Sequence, residues 1–137
     1  MPVPPKPTVH TYMDSATHAL SIDDDIQLAV RRLIDEGITS APVVDDQGRV
    51  VGELSEYECL RLLAAGHGGE IPRGRVGDFM RTTFTAVPPT MDVYYAAGMF
   101  LRDPTHRRFL VMDGPRLLGV VTRKDILRAV QKGLGGS

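Results

Sequence analysis

The feature that most constrains the fold is an internal repeat, in which the second half of the chain reproduces the apolar pattern of the first half 67 residues later. The repeat is clearest in one predicted amphipathic helix, where apolar residues recur at i, i+3, i+4, i+7 and i+8. The two matching sets are Ile26, Ala29, Val30, Leu33 and Ile34, then Val93, Ala96, Ala97, Phe100 and Leu101. A repeat of this length predicts one structural unit that the chain forms twice.

Each half predicts the same order of elements: a short strand, a helix, a β-hairpin and a second helix. Turn residues separate the two apolar runs of each hairpin. An acidic or hydroxyl side chain precedes the first helix of each half as its N-cap. The predicted elements are a strand at 18–20, N-cap Asp23, a hairpin at 41–55 and a helix at 56–65, then a strand at 84–87, N-cap Thr90, a hairpin at 109–122 and a helix at 123–132.

The chain is long enough for two small motifs but not for two independent cores. It has 137 residues, and a unit of roughly 60 residues buries little apolar surface by itself. We therefore expect the two halves to pack together. The predicted organisation is an extended N-terminal segment at 1–7, a first motif at 8–65, a flexible linker at 66–75 and a second motif at 76–133.

Charge and composition argue against several classes of partner. Lys and Arg total 16 against 17 Asp and Glu, so we expect no general binding to nucleic acid or to a membrane surface. The apolar runs are shorter than the roughly 18 residues of a membrane span, and residues 1–7 lack the apolar core of a secretory signal. The single Cys59 cannot form an internal disulfide and lies on an apolar helix face. These features predict a cytoplasmic protein.

Polar chemistry concentrates at the start of the last helix. The segment 119–125 reads as an apolar strand that leads directly into this helix, with Thr122 at the N-cap. Lys124, Asp125 and free backbone N–H groups meet there at the positive end of the helix dipole, which suits an anion. Thr122 and Asp125 also match a capping box, which only satisfies the donors of the helix itself. The residues alone leave both interpretations open.

The repeat and three short motifs resemble a pair of CBS motifs, the cystathionine-β-synthase-type regulatory module. The motifs are Tyr12-Met13 or Phe79-Met80 before the leading strand, the strand at 40–45 and the strand–helix junction at 119–125. The resemblance covers about residues 8–132. It implies an α+β fold of two β-α-β-β-α motifs that are related by a pseudo-twofold axis and packed through their small sheets. Such pairs commonly bind adenine nucleotides or S-adenosylmethionine between the motifs, and commonly form homodimers.

The resemblance implies a nucleotide-binding cleft around Asp125. A carboxylate can accept both hydroxyl donors of a ribose, an apolar slot holds adenine, and cations or N–H groups hold phosphate. Asp125 would then bind ribose, and Thr122 and Lys124 would lie near phosphate. The first motif would contribute residues before and on its leading strand and at the start of its second strand: Met13, Ala16, His18, Thr39, Ser40 and Ala41. His18 either meets phosphate when protonated or is an exposed strand histidine.

A second, weaker cleft departs from the family pattern. Glu58 stands where the family usually has Asp, Ser55 replaces Thr, and Glu53 interrupts the apolar strand. The longer carboxylate reaches a different point, and Ser55 with Glu58 also matches a capping box. The residues facing this cleft would be Thr83, Thr85, Arg107, Arg108 and Phe109. The adjacent arginines suit phosphate, a solvated edge or a dimer contact equally well.

No sequence pattern predicts catalysis, a metal site or a covalent cofactor. The four histidines at 10, 18, 67 and 106 lack metal-ligand spacing, and no nucleophile elbow or P-loop signature occurs. The acidic run at 23–25 is expected at a helix start, where the dipole favours carboxylates. His67, in the Gly-rich linker, is expected to be exposed and inert. We expect that the protein is not an enzyme.

Two functional hypotheses follow. The first is a stand-alone regulatory module that binds AMP, ADP, ATP or S-adenosylmethionine and signals energy status to an unknown effector protein through a conformational or dimer change. The second is a ligand-free module for protein interaction and dimerisation, in which Asp125 is only a cap. Nucleic-acid binding is a weaker third hypothesis at this net charge; it would use Arg73, Arg75, Arg81, Arg107 and Arg108.

Overall fold

The structure is a computed structural model that describes residues 6–66, 69–70 and 72–135, with side chains described up to residue 131. The expectations for residues 1–5 and for His67 lie outside this part of the chain. The described elements are α1 (Val9–Tyr12), β1 (Leu20–Ser21), α2 (Ile26–Glu36), β2 (Ser40–Val44), β3 (Val50–Ser55), α3 (Glu56–Ala65), α4 (Val76–Phe79), β4 (Ala86–Val87), α5 (Val93–Arg102), β5 (Arg108–Asp113), β6 (Arg116–Thr122) and α6 (Arg123–Gly135).

The predicted α+β fold with a β-α-β-β-α order in each half is confirmed. The sequence did not predict the short helices α1 and α4, because four residues are too few to show a helical period. The predicted N-caps were wrong: the caps lie two residues later, at Asp25 and Asp92. The Asp25 carboxylate accepts from the backbone N of Leu28 at 3.1 Å, and the Asp92 carboxylate accepts from the backbone N of Tyr94 at 2.7 Å.

The two halves form two three-stranded sheets of the same topology, with strand orders β1-β2-β3 and β4-β5-β6. In each sheet the leading strand pairs in parallel with the middle strand, and the hairpin pairs antiparallel. The register shifts at equivalent places, between Val43 and Val44 and between Val111 and Met112. The repeat therefore extends from the apolar pattern to the irregularities of the sheets.

The chain packs as two compact units that do not follow its linear order. We call Thr17–Phe84 the first-motif unit, and Met1–Ala16 with Thr85–Ser137 the second-motif unit. Helix α1 belongs to the second-motif unit, although it precedes the first motif in sequence, and α4 belongs to the first-motif unit. The packing units thus differ from the motif boundaries that the sequence suggests.

Each short helix is followed by an extended residue that pairs with the last strand of its unit. In the second-motif unit, Asp14 and Val120 exchange two backbone hydrogen bonds of 2.8 and 2.9 Å. In the first-motif unit, Arg81 and Glu53 make the equivalent pair at 2.8 and 2.9 Å. These bonds attach α1 and α4 to the sheets.

A glycine in the strand permits each of these contacts. A Cβ at Gly119 would lie 2.7 Å from the carbonyl oxygen of Asp14, and a Cβ at Gly52 would lie 2.4 Å from that of Arg81. Both positions require glycine because a second backbone passes too close for a side chain.

Each unit has its own apolar core. The core of the second-motif unit contains Val9 from α1 together with residues of α5, β5, β6 and α6. Phe100 and Phe109 stack within it, with ring centroids 4.1 Å apart. The core of the first-motif unit includes Val76 from α4 in the equivalent role. The short helices are therefore built into the cores.

We predict that Gly119→Ala destabilises the protein, because the added methyl forces Asp14 away from β6. Gly98→Ala is the matched control: Gly98 lies within α5, and a Cβ there meets no heavy atom within 4 Å. Alanine at this helical position should raise the free energy of unfolding by up to about 1 kcal/mol. Urea denaturation of both variants measures the difference. Equal stability of the two variants would contradict the close-approach argument.

Candidate functional site

The N-terminus of α6 holds a buried carboxylate in a complete capping arrangement. Asp125 is 4% exposed, and its Oδ2 accepts from the backbone N of Thr122 at 2.9 Å and from its Oγ1 at 3.0 Å. Thr122 Oγ1 lies 3.3 Å from the Asp125 backbone N and accepts its hydrogen bond. The capping interpretation of these two residues is therefore correct as geometry, and it does not by itself exclude a ligand.

The other oxygen of Asp125 is held by a basic side chain. Arg128 Nη1 donates to Asp125 Oδ1 at 2.8 Å, while the Arg128 side chain is 64% exposed. An ionised carboxylate offers about four acceptor positions, and the bonds among the described residues use two on Oδ2 and one on Oδ1. Oδ1 thus accepts one fewer of these bonds than Oδ2. Lys124, the residue before Asp125, is exposed.

Five of the nine residues predicted for this cleft lie in the second-motif unit. Besides Asp125, Thr122 and Lys124, this unit contains Met13 and Ala16, which the sequence analysis attributed to the first motif. Met13 packs against the apolar core beside Gly119. Ala16 is exposed, and its backbone N donates to Asp14 Oδ1 at 2.9 Å. The attachment of Asp14 to Val120 explains why Met13 and Ala16 lie in the second-motif unit and not in the first-motif unit.

The other four residues lie in the first-motif unit. Ala41 is fully buried in its core, so its side chain serves packing. Ser40 Oγ donates to Glu53 Oε2 at 2.8 Å. The Thr39 carbonyl accepts from the backbone N of Glu56 at 2.9 Å.

His18, the fourth of these, has an unusual backbone. Its φ of 54° lies in the left-handed region, which costs free energy for a residue with a side chain. The imidazole Nδ1 lies 3.6 Å from the Glu36 carboxylate, which also pairs with Arg32 at 3.4 Å. A phosphate that met His18 would therefore compete with Glu36.

The carboxylate of the second, weaker cleft also caps its helix. Glu58 is 8% exposed, and its Oε1 accepts from the backbone N of Ser55 at 3.0 Å and from its Oγ at 2.7 Å. Ser55 and Glu58 form the predicted capping box at the start of α3. Thr83, predicted to face this cleft, is exposed in the same unit.

The remaining residues predicted for the second cleft lie in the second-motif unit. Phe109 is 2% exposed and packs in the core, Arg107 is exposed and Arg108 is half-buried. Thr85 Oγ1 lies 3.1 Å from His106 Nε2. The sequence analysis missed this contact of His106, because no spacing rule connects a strand start with a loop 21 residues later.

The loop that carries His106 is also held by Asp103. His106 Nδ1 lies 2.8 Å from the Asp103 carboxylate. A hydrogen bond from the Thr105 side chain, with the charge of His106 and a bond from the Thr105 backbone N, lowers the pKa of Asp103 below its usual value. The arrangement orders the segment between α5 and β5.

Sequence analysis also missed the buried network around Glu53. Glu53 is 6% exposed and accepts from Ser40 and from Arg81, whose Nη2 lies 3.2 Å from its Oε2. Glu53 itself was the sequence signal for this network, since it is a charged residue within an apolar strand and a buried carboxylate needs hydrogen-bond donors. Local sequence patterns could not identify Arg81 as the partner, because it is 28 residues from Glu53.

The described residues contain no group of three or more His, Cys, Asp or Glu side chains placed to hold a metal ion. The acidic run at 23–25 is used locally instead. Asp24 accepts from the backbone N of Ser21, Asp25 caps α2, and Asp23 pairs with Arg75. Within the same described ranges, every helix is too short or too polar to cross a bilayer.

The CBS domain family model matches the chain twice, at residues 9–65 and 76–132. This match covers most of the sequence. The duplicated sheets and the two capped helix junctions agree with it. The chain belongs to the CBS domain family and forms a tandem CBS pair.

Two curated relatives are far longer than this chain. One is the A-adding tRNA nucleotidyltransferase of Aquifex aeolicus, 29% identical over 92% of this chain and 15% of that protein. Another is the gamma-3 subunit of the 5'-AMP-activated protein kinase of Sus scrofa, 28% identical over 77% of this chain and 21% of that protein. The chain spans between 15% and 34% of the first three such relatives.

Two solved structures match the chain over nearly their whole length. CBSX2, a CBS-pair protein from Arabidopsis thaliana solved in complex with AMP, is 26% identical with a TM-score of 0.77, covering 93% of this chain and 98% of that one. The AcuB protein of Vibrio cholerae, a putative acetoin utilization protein, is 18% identical with a TM-score of 0.80 over 95% and 94%. The second likeness supports the fold alone.

We predict that the capping bonds between Asp125 and Thr122 contribute more to stability than the ion pair between Asp125 and Arg128. Arg128→Ala should change the free energy of unfolding by less than about 1 kcal/mol, because an exposed arginine contributes little. Asp125→Ala should lower it by about 1–2 kcal/mol, because the capping interactions of Thr122 are lost. Denaturant unfolding of both variants provides the measurement. An equal loss in both would show that the ion pair, not the cap, holds this junction.

Proposed function

We propose that this CBS pair binds an adenosine-containing ligand (AMP, ADP, ATP or S-adenosylmethionine) in the cleft between its motifs and signals energy status. Binding changes the relative arrangement of the motifs or of a dimer, and an effector protein in the cytoplasm responds to that change. The module itself performs no catalysis. A ligand has this effect only through different affinities for the two arrangements.

The observation that carries the proposal is the buried Asp125 carboxylate at the start of α6. Its burial keeps it close to fixed backbone donors, and Oδ1 has an acceptor position for a ribose hydroxyl. Exposed Lys124 and the positive end of the helix dipole suit phosphate. Similarity to an AMP complex and to a subunit of an AMP-activated kinase supports adenosine as the ligand class.

His18, Ser40, Thr39 and Ala41 would form the adenine side of this cleft. Because Ser40 Oγ donates its hydrogen to Glu53, the hydroxyl would take part in ligand binding as an acceptor. The Ala41 side chain is buried, so any contribution of this residue would come from its backbone. Met13 and Ala16 would complete the rim near Gly119.

The second candidate is a module for protein interaction and dimerisation without a small ligand. Its supporting observation is that both helix-start carboxylates, Asp125 and Glu58, already act as complete caps. Glu58 uses one oxygen for both Ser55 donors.

We propose that the second cleft, with Glu58, Thr83, Thr85 and Arg107, binds adenosine ligands more weakly than the first.

A ligand panel separates the two candidates. Ligand-free protein is titrated with AMP, ADP, ATP, S-adenosylmethionine and GTP, and the unfolding midpoint is recorded. Ligand at about 100 times its dissociation constant should stabilise the fold by roughly 2.7 kcal/mol, which shifts the midpoint by several degrees. We expect an adenosine ligand to give this shift, and GTP to give less.

Variants assign the shift to the first cleft. Asp125→Ala should abolish it relative to the variant's own ligand-free midpoint. Glu58→Ala, which removes the equivalent cap in the first-motif unit, should retain it. A flat response across the panel would favour the ligand-free module. Loss of the shift in both variants would mean that the caps act only through stability.

We further propose that the chain forms a homodimer through the outer faces of its helices. Ile34 and Leu101, which are repeat-equivalent, are 73% and 82% exposed. The equivalent Leu60 and Leu127 are both 64% exposed. Exposed apolar residues at matching positions of two units mark an interaction surface, and a symmetric dimer uses such a surface twice.

We predict that Leu101→Asp shifts sedimentation from a dimer to a monomer, because a charge replaces a buried apolar contact at the interface. Gln47→Asp is the control, since Gln47 is exposed in the β2–β3 turn. Analytical ultracentrifugation over a range of concentrations measures both. A monomeric parent protein would refute the dimer and leave the ligand proposal untouched.

A further inference from the structure

An open apolar groove lies between the C-terminal half of α2 and the first half of α3, both in the first-motif unit. Its volume is about 540 Å³, within the roughly 300–1,000 Å³ of small-molecule sites. Aliphatic side chains from both helices and from the residue pair after α2 make up most of its lining: Val30, Leu33, Ile34, Ile38, Leu60 and Leu63. The groove therefore offers apolar contact to a small molecule on both sides.

One end of the groove carries a carboxylate without a partner. Glu56 is the only charged residue of the lining and is exposed. Its backbone N donates to the Thr39 carbonyl at 2.9 Å, which fixes its position at the start of α3. Among the described residues, no group bonds to the Glu56 carboxylate. This carboxylate is therefore available to an incoming cation.

The helix ends at the groove add to the negative charge. The C-terminus of the 11-residue helix α2 has no basic residue in its last turn, and Leu33, Ile34 and Gly37 of this end line the groove. Its dipole places about half a negative charge there. The positive end of α3 is offset by two carboxylates in its first turn, Glu56 and Glu58. None of the arginines of α2 and α3 is part of the lining.

The thiol in the groove wall responds to the same charges. Burial raises the pKa of the Cys59 thiol, and the negative charges of Glu58 and Glu56 raise it further. Cys59 is one of the lining residues. The wall is therefore partly shielded from water and lies in a negative potential, and both conditions favour a ligand that is apolar and cationic.

The repeat-equivalent position in the second-motif unit has the opposite charge. Arg123 stands at the position of Glu56, and its guanidinium donates to the carbonyls of Pro104 and His106. Phe100 stands at the position of Leu33, and its ring lies 5.9 Å from that guanidinium. The fold therefore does not require an unpartnered carboxylate at this helix start.

We propose that the groove binds a small amphipathic cation, that is, a molecule with an apolar body and a protonated amine. The body lies between Ile34 and Leu60, and the ammonium group pairs with Glu56 near the C-terminus of α2. Among the lining residues, only Thr39 also belongs to a proposed nucleotide cleft. The groove is thus a further site, and the proposal does not rest on adenosine binding.

A ligand in this groove would also affect assembly. Ile34 and Leu60 belong to the surface proposed above for the homodimer, so a bound amine and the dimer contact compete for the same side chains. This consequence rests on the proposed homodimer, whereas the site itself does not. We expect the amine to bind more tightly to the Leu101→Asp variant, which is expected to be monomeric, than to the wild type.

A pair of probes with the same apolar body and opposite charge tests the site. The probes are 4-phenylbutylamine and 5-phenylpentanoate, titrated into ¹⁵N-labelled wild-type and Leu101→Asp protein at neutral pH. We expect the amine to give saturable shifts of backbone amide signals, confined to residues 33–39 and 56–63. The carboxylate should bind about fivefold more weakly, a difference of the size expected for one exposed ion pair.

Two changes to the protein assign the binding to the groove. Glu56→Gln should bring the affinities for the two probes within about twofold of each other, because it removes the charge and retains the shape. Asp46→Asn, in the exposed β2–β3 turn, is the control for net charge and should leave the fivefold preference intact. Alkylation of Cys59 with N-ethylmaleimide, at alkaline pH because of its raised pKa, should abolish binding. Cys59→Ser protein treated in the same way should retain it.

Three results would overturn the proposal. Shifts that do not saturate, or that lie outside the two segments, would show that the groove is not a small-molecule site. Equal affinity of wild-type protein for both probes would refute a cationic ligand. Retention of the preference in Glu56→Gln would refute the role of this carboxylate. Equal affinity of the amine for the wild type and for Leu101→Asp would refute the competition with dimerisation, and the adenosine titration remains a separate measurement.

Discussion

The backbone pairing that attaches each short helix to the sheet is the interaction on which the rest of the structure depends. Two hydrogen bonds join Asp14 to Val120, and two join Arg81 to Glu53. They form only because Gly119 and Gly52 leave room for a second backbone. Through them the N-terminal segment becomes part of the second-motif unit and the segment after the linker becomes part of the first. Each motif is therefore completed by a stretch of chain from outside its own consecutive sequence.

The helix junction that follows each of these glycines is held by a buried capping carboxylate. Asp125 and Glu58 are buried because they satisfy the first backbone donors of α6 and α3. The same geometry holds the Asp125 carboxylate in one orientation next to exposed Lys124, and the proposed ribose-phosphate site depends on that arrangement. Capping and ligand binding are compatible in Asp125 because its two oxygens have different partners, Thr122 and Arg128. In Glu58, one oxygen accepts both Ser55 donors.

The two motifs differ at equivalent positions of their outer surfaces. Leu33 and Glu56 line an open groove beside α2 and α3, whereas the equivalent Phe100 stacks on Phe109 and the equivalent Arg123 donates to the carbonyls of Pro104 and His106. The exchange of charge between Glu56 and Arg123 changes the electrostatic character of the helix pair as well as its shape. The outer helix faces of the two motifs therefore differ in shape and in charge.

The sequence by itself determined the repeat, the order of elements in each half, the capping residues at α3 and α6 and the family, because all of these depend on local spacing. Only the tertiary structure decided which segments complete which unit, because the pairing of Asp14 with Val120 joins residues far apart in the chain. The Glu53–Arg81 pair and the Thr85–His106 contact have the same origin. Each depends on the position of a backbone or side chain that is distant in sequence, and local sequence patterns do not determine that position.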